Sequence, residues 1–322
     1  MRPGDLFEAT LSVSAEVIEF ELRGHSPVAW SDFYLNPRRL RGSDFLMRWS
    51  QGVWGEKILT RALEQNDLFF ALAYGPSGVA PENDVREYEL YFERLESAGL
   101  GKLKRPDLLI FNRSDRIHIQ ELVESLGGEQ ELPFISEEDE RMQKLLDSAI
   151  VAVECENSLW RARLMPDFNK PLKPQKWLNG QMGLPKGAIV PTIIVKQEDR
   201  NPLLDWQTQR GIPIHIWHVF YDAAYGISLN RIEELIAVGI VPPTNQQFQE
   251  PHGRSTSKII YKVRYHHAYP LATLESEPSL VAASITDKNG HILPYVRFEG
   301  GSLSLLPETL EVLTELSIRN QE

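Results

Sequence analysis

The chain has 322 residues, 42% of them hydrophobic and 25% charged, with one cysteine and a net charge of −11. One cysteine excludes an internal disulfide framework and a Cys-based zinc site, and no apolar run approaches the ~18 residues that cross a bilayer. The first residues, MRPGDLFEATLSVSAEVIEFELRG, lack a basic-then-apolar leader, so a cytoplasmic protein that binds no membrane is expected.

Residues 43–65 carry apolar side chains at helical spacing behind a Ser-Asp start, which predicts a helix. DLFFALAYG (67–75) reads as a strand ending in a GPSG turn, and residues 84–99 as an amphipathic helix stopped by Gly99. RPDLLIF (105–111) is a strand. An insertion over 112–148 holds one or two helices, the last behind the acidic SEEDE (136–140), which reads as a solvated helix start. IVAVECEN (150–157) is a buried strand, and 189–199 and 212–222 are two more, with a helical PLLDWQTQR between them. Residues 228–239 form a helix closed by Gly239.

Strands alternating with helices predict an α/β protein: a central mixed β-sheet flanked by helices. SKIIYKVRYHHAYPLA, LVAASIT and HILPYVRFEG read as further strands, with DKNGH as a hairpin turn. No flexible linker precedes them, so residues 1–322 are expected to be a single domain. It comprises a segment of about 1–50, a core of about 50–240 and a β-rich extension of about 241–322.

The negative total hides three basic stretches. Residues 36–49 hold Arg38, Arg39, Arg41 and Arg48; residues 159–177 hold five basic side chains, Lys173 and Lys176 among them, against one Asp; residues 253–267 hold Arg254, Lys258, Lys262 and Arg264 with no acid. Net charge governs solubility, whereas affinity for phosphates depends on where the cations sit. Each stretch alone also suits a solvated surface; three together predict a basic groove for double-stranded DNA. Arg38, Arg39 and Arg41 suit base reading, since a guanidinium forks onto guanine, and Arg254, Lys258, Lys262 and Arg264 suit phosphate contacts.

Strand alternation sends Glu154 and Glu156 to one face and Cys155 to the other. An Asp at the head of a neighbouring strand would bring a third carboxylate to that pair. Acids so placed repel, and burial raises their pKa values unless a cation sits among them. A hard divalent ion suits such oxygens, and Mg2+ leaves room for waters and a phosphate. Pro106-Asp107, followed on a later strand by Glu154-x-Glu156, resembles the PD-(D/E)XK nuclease signature with Glu in the usual Lys slot, as in the BamHI and BglII branch of type II restriction endonucleases. With PRRLRGSDFLMRWSQG (37–52) and IHIWHVFYD (214–222), the whole chain is also similar to the AccI-type restriction enzymes.

That resemblance implies a restriction-endonuclease-like core and Mg2+-dependent, site-specific cleavage of duplex DNA by a homodimer, with no organic cofactor. It implies Asp107, Glu154 and Glu156 as catalytic residues and ion ligands, and Glu56 of GVWGEKIL as a further ligand from an upstream helix. Lys173 or Lys176 could supply a lysine to the site. A repair nuclease of the same fold, a DNA-binding protein without catalysis, and a glycosidase using Glu154 and Glu156 as its acid pair stay open as alternatives. His215 and His218 face opposite sides of their strand and read as satisfied core or groove histidines; the tryptophans read mainly as core.

Overall fold

Apolar alternation places strands β1 (Phe69–Ala73), β2 (Leu108–Asn112) and β3 (Val151–Asn157) side by side as an antiparallel meander. The computed structural model describes residues 44–80, 85–101, 104–158, 160–249, 255–286 and 292–320. Among them the principal sheet has seven strands. Beyond β3 come β7 (Ile214–Val219), parallel to it, then β8 (Ala223–Ser228), β11 (Tyr269–Thr286) and β12 (Ile292–Leu305), each antiparallel to its neighbour. The parallel β3–β7 pair needs a crossover. It runs through the small hairpin of β4 (Lys173–Pro174) and β5 (Met182–Gly183), then β6 (Thr192–Lys196) and helix α5 (Gln197–Arg210).

One face of the sheet is covered by helix α1 (Asp44–Glu64) and the terminal helix α7 (Pro307–Arg319); Trp54, Ile58, Leu59, Val151, Val153, Trp217 and Leu313 form its core. The other face is covered by α3 (Arg116–Ser125), α4 (Glu140–Asp147), α5 and α6 (Leu229–Ala237) over Leu109, Phe111, Ala152, Ile214 and Ile216. The sheet curls far enough for β12 to meet α1, where the Trp54 indole N–H donates to the Gly300 carbonyl at 3.1 Å. Beside it, β9 (Pro243–Gln249), β10 (Ser255–Arg264) and β6 form a three-stranded antiparallel sheet. Helix α2 (Val85–Ser97) ends before Gly99, which takes φ +74°.

Several elements depart from the sequence reading. The predicted strand 212–222 ends at Val219 and a second strand, β8, follows after a tight turn. The predicted strand 257–272 breaks after Arg264 at a single 3-10 turn, Tyr265–His267, so its first half joins the three-stranded sheet and its second half the principal one. Helix α5 starts at Gln197, inside the predicted strand 189–199. The C-terminal region is β-rich, as expected, but finishes in a helix. The acidic stretch 136–140 is not simply a solvated helix start: Glu137 is only partly exposed and paired with Arg105, and α4 begins only after Asp139, whose carboxylate accepts the Arg141 backbone N–H at 2.9 Å. The DKNGH turn, 287–291, lies outside the described residues.

Candidate carboxylate site

Asp107 stands one residue before β2, and Leu109 and Phe111 beyond it point into the α5 face. Leu108 pairs with Val153 and Leu109 with Ala152. Continuing that register sets Asp107 directly opposite Glu154, on the same face of the sheet. The Asp107 carboxylate accepts the Cys155 backbone N–H at 2.7 Å, which fixes it to β3. On its other side the turn after β1 closes in. A Cβ on Gly75 would lie 2.9 Å from the Pro106 carbonyl, so only glycine fits there. Asp107 and Glu154 are each 6% exposed.

Two lysines lie among these acids. Lys104 pairs with Glu154, and Lys196, at the end of β6, lies 3.4 Å from Glu156 and 3.5 Å from Asp199 of α5. Burial pushes all three carboxyls, Asp107, Glu154 and Glu156, above the ordinary carboxylate range, Glu154 furthest. For Glu154 the Asp107 charge adds to burial, and Lys104 only partly offsets them. Burial alone would lower the Lys104 ammonium, but Glu154 and Asp107 outweigh it and raise it above its usual value. Lys196 is likewise raised, chiefly by Glu156. Four carboxylates facing two ammoniums leave this face with two negative charges when all are ionised. One Glu154 oxygen, Oε2, is buried without a hydrogen-bond partner.

Neither lysine was singled out by sequence reasoning, which turned to Lys173 and Lys176. Both of those are exposed on the β4–β5 segment, and neither is paired with these acids among the described contacts. The signal for the true partners was slight: Lys104 precedes Asp107 by three residues, and Lys196 closes an apolar strand at its lip. Glu56 comes from the opposite face on α1. Its Oε2 lies 3.0 Å from where a Cβ on Gly78 would be, in the turn after β1, and the Asp107 carbonyl lies 3.5 Å from the same point. His215 is a satisfied core histidine, its Nδ1 2.9 Å from the Tyr269 hydroxyl. His218 is not: it is buried on the Glu156 side of the sheet with both ring nitrogens unpartnered.

Arg38, Arg39, Arg41 and Arg254 lie outside the described residues, and Arg48 falls in the second turn of α1. On β10, Lys262 is exposed, while Lys258 is paired with Glu198 at 2.6 Å. Arg264 donates to the Pro185 carbonyl at 2.9 Å and lies over the Trp177 ring at 5.4 Å. Of these phosphate-contact candidates, Lys258 and Arg264 are therefore committed to internal contacts, and the residue between Lys258 and Lys262 on their face, Ile260, is buried.

Among the described residues, no three His, Cys, Asp or Glu side chains stand grouped for a metal ion. The lysines engage the glutamate oxygens instead. The donor set nonetheless suits a hard divalent ion: Asp107 with Glu154 would hold it, and Glu156 could join because its 3.4 Å pairing with Lys196 is loose. No family model matches the chain, and neither a curated protein nor a solved structure matches it. Among the described residues no helix is long and apolar enough to cross a membrane.

Proposed function

We propose that the protein is a Mg2+-dependent, site-specific endonuclease of double-stranded DNA: a type II restriction endonuclease of the PD-(D/E)XK kind, acting as a homodimer. The observation that carries this reading is the placement of Asp107, Glu154 and Glu156 on one face of adjoining strands, where burial pushes all three above the ordinary carboxylate range although two lysines stand among them. Structural acids are seldom left in that state, because an uncompensated buried charge costs several kcal/mol, on the order of the stability of a domain. A mixed sheet flanked by helices, with Asp at the head of one strand and Glu-x-Glu on the next, agrees with the restriction-endonuclease-like core.

In this reading Asp107 and Glu154 hold Mg2+, which when bound supplies a water of lowered pKa and charge to oppose the leaving 3′ oxygen. Glu156, pushed above the usual carboxylate range by burial, takes the proton of the attacking water. Lys104 and Lys196 offset the phosphate charge once the acids face the ion. The products are 5′-phosphate and 3′-hydroxyl ends. Exposed Lys173, Lys176 and Lys262 supply phosphate contacts; outside the described side chains, Arg48 and Arg254 are proposed to join them on the DNA, with Arg38, Arg39 and Arg41 reading bases. A palindromic target suits a two-fold dimer in which each subunit cuts one strand.

The test is phage DNA incubated with the protein in Mg2+ and in EDTA. Discrete fragments in Mg2+ alone are expected; a smear would point to a non-specific nuclease of the same fold. Asp107→Asn and Glu154→Gln should lower cleavage by at least about 100-fold while a duplex gel shift persists. The two lysine pairs favour one second reading, a DNA-binding protein whose acids serve only the fold. A gel shift without cutting in any divalent ion would select it.

A further inference from the structure

His218 is a buried polar group next to the carboxylate site. It lies on β7 directly beside Glu156 of β3, since the parallel register pairs the two residues and sends their side chains to the same face. It is 2% exposed, and neither Nδ1 nor Nε2 has a hydrogen-bond partner. Its ring stacks on Phe220 at 4.5 Å, with the ring planes 25° apart. Burial and the nearby Lys196 charge lower its pKa to about 3, so the imidazole is neutral, with one N–H donor and one acceptor nitrogen.

A core histidine in this position would be expected to resemble His215, which is bonded to the Tyr269 hydroxyl. Leaving a buried donor and acceptor unmet costs about 1–3 kcal/mol each. Phenylalanine would fill the volume and stack on Phe220 without that cost. On one side β8 sets the buried Tyr225 opposite it; on the other are Glu156, its partner in the β3 register, and Lys196, which lies 3.4 Å from Glu156 and whose charge acts on the ring. Glu154, with its unpartnered Oε2, is two residues from Glu156 on the same face of β3. The two acids and the lysine belong to the carboxylate site.

We propose that His218 is a ligand-contacting residue of this site, its imidazole hydrogen-bonding to an oxygen that enters between Glu156 and Lys196. The chemistry is that of a polar oxygen, either of a phosphate group or of a water carried by a divalent ion. The proposal deepens the nuclease reading by adding to its site a residue that the acid motif does not contain.

The test follows the His218 ring nitrogens by 15N NMR in the metal-free full chain, with the signals assigned from a His218→Phe variant. One arm adds Mg2+ alone and the other adds inorganic phosphate in EDTA. Movement of the His218 signals with Mg2+ identifies the ion-borne water, and movement with phosphate identifies the phosphate oxygen. Affinity for the active probe should fall about tenfold in His218→Phe and stay within about threefold in His218→Gln, which keeps a donor and an acceptor. Signals unmoved in both arms, or a His218→Phe chain that binds the probe as the wild type does, would overturn the proposal. Because neither arm requires DNA cleavage, a chain that binds through His218 yet cuts nothing would contradict the nuclease reading alone.

Discussion

Lys104 sets how much negative charge the site can carry. Its ammonium is the cation that Glu154 touches, and Glu154 is almost fully buried. Lys104→Ala should therefore cost about 3 kcal/mol near neutral pH, the usual scale for stranding one partner of a buried pair. The sign of the pH dependence follows from Glu154. Its folded-state pKa is raised, so the carboxyl favours the fold below its ordinary titration range, and that contribution is lost as pH rises. The deficit of Lys104→Ala should thus shrink toward pH 5 in urea unfolding, and a deficit independent of pH would contradict the assignment. His215 behaves in the opposite sense. Burial lowers it to about 4, so its contribution is complete above the ordinary histidine value and disappears as pH falls toward 4. Between pH 7.5 and 5 the wild type should lose about 2 kcal/mol more than His215→Gln. Equal losses would show that His215 already carries its proton in the fold.

Elements hold the site through one buried cluster. Glu137, in the connection ahead of α4, pairs with Arg105 at 2.9 Å and with Arg210 of α5 at 2.8 Å, and it accepts from the Trp206 indole at 2.9 Å and from the Tyr74 hydroxyl. Arg105 also donates to the Leu132 and Ile135 carbonyls, both at 2.8 Å. The insertion, α5, the end of β1 and the residues just before Asp107 are thereby joined at one carboxylate. Glu137→Gln should lower unfolding stability by about 3 kcal/mol; a loss under about 0.5 kcal/mol would show the cluster to be dispensable. None of this was legible in SEEDE, because charge runs usually mark solvent and only tertiary contact reveals a member that pairs inward. The sequence reading did place α1, β1, α2, β2 and β3 to within a few residues, since their apolar spacing is regular, and it put Asp107 and the two glutamates on adjoining strands. It missed β8 because the turn after Val219 contains no Pro or Asn-Gly signal: Phe220 to Asp222 turn the chain, with the Phe220 N–H bonded to the Ala223 carbonyl at 2.8 Å. Lys104 and Lys196 escaped for a different reason: long side chains reach a site from positions that no spacing rule specifies.

Across the whole molecule, the curl of the sheet brings its two ends together around α1. The Trp54–Gly300 hydrogen bond links the first described helix to the last strand, and α7 returns to the start of the sheet, where Ser317 donates to Asn112 at 2.8 Å and Asn320 to the Ala149 carbonyl at 3.2 Å. The carboxylates therefore sit on strands anchored from both faces, which suits a site whose charges repel and need a rigid frame. A net charge of −11 makes bulk attraction of a polyanion weak, so the DNA binding proposed above would rest on local cations and on neutralisation of the acidic site. Calorimetric titration of Mg2+ into metal-free wild type and into Glu154→Gln tests that most directly. Saturable binding by the wild type, lost in the glutamine variant, is the predicted result. Absence of saturable binding, or equal binding by both chains, would contradict the assignment of Asp107 and Glu154 as an ion site.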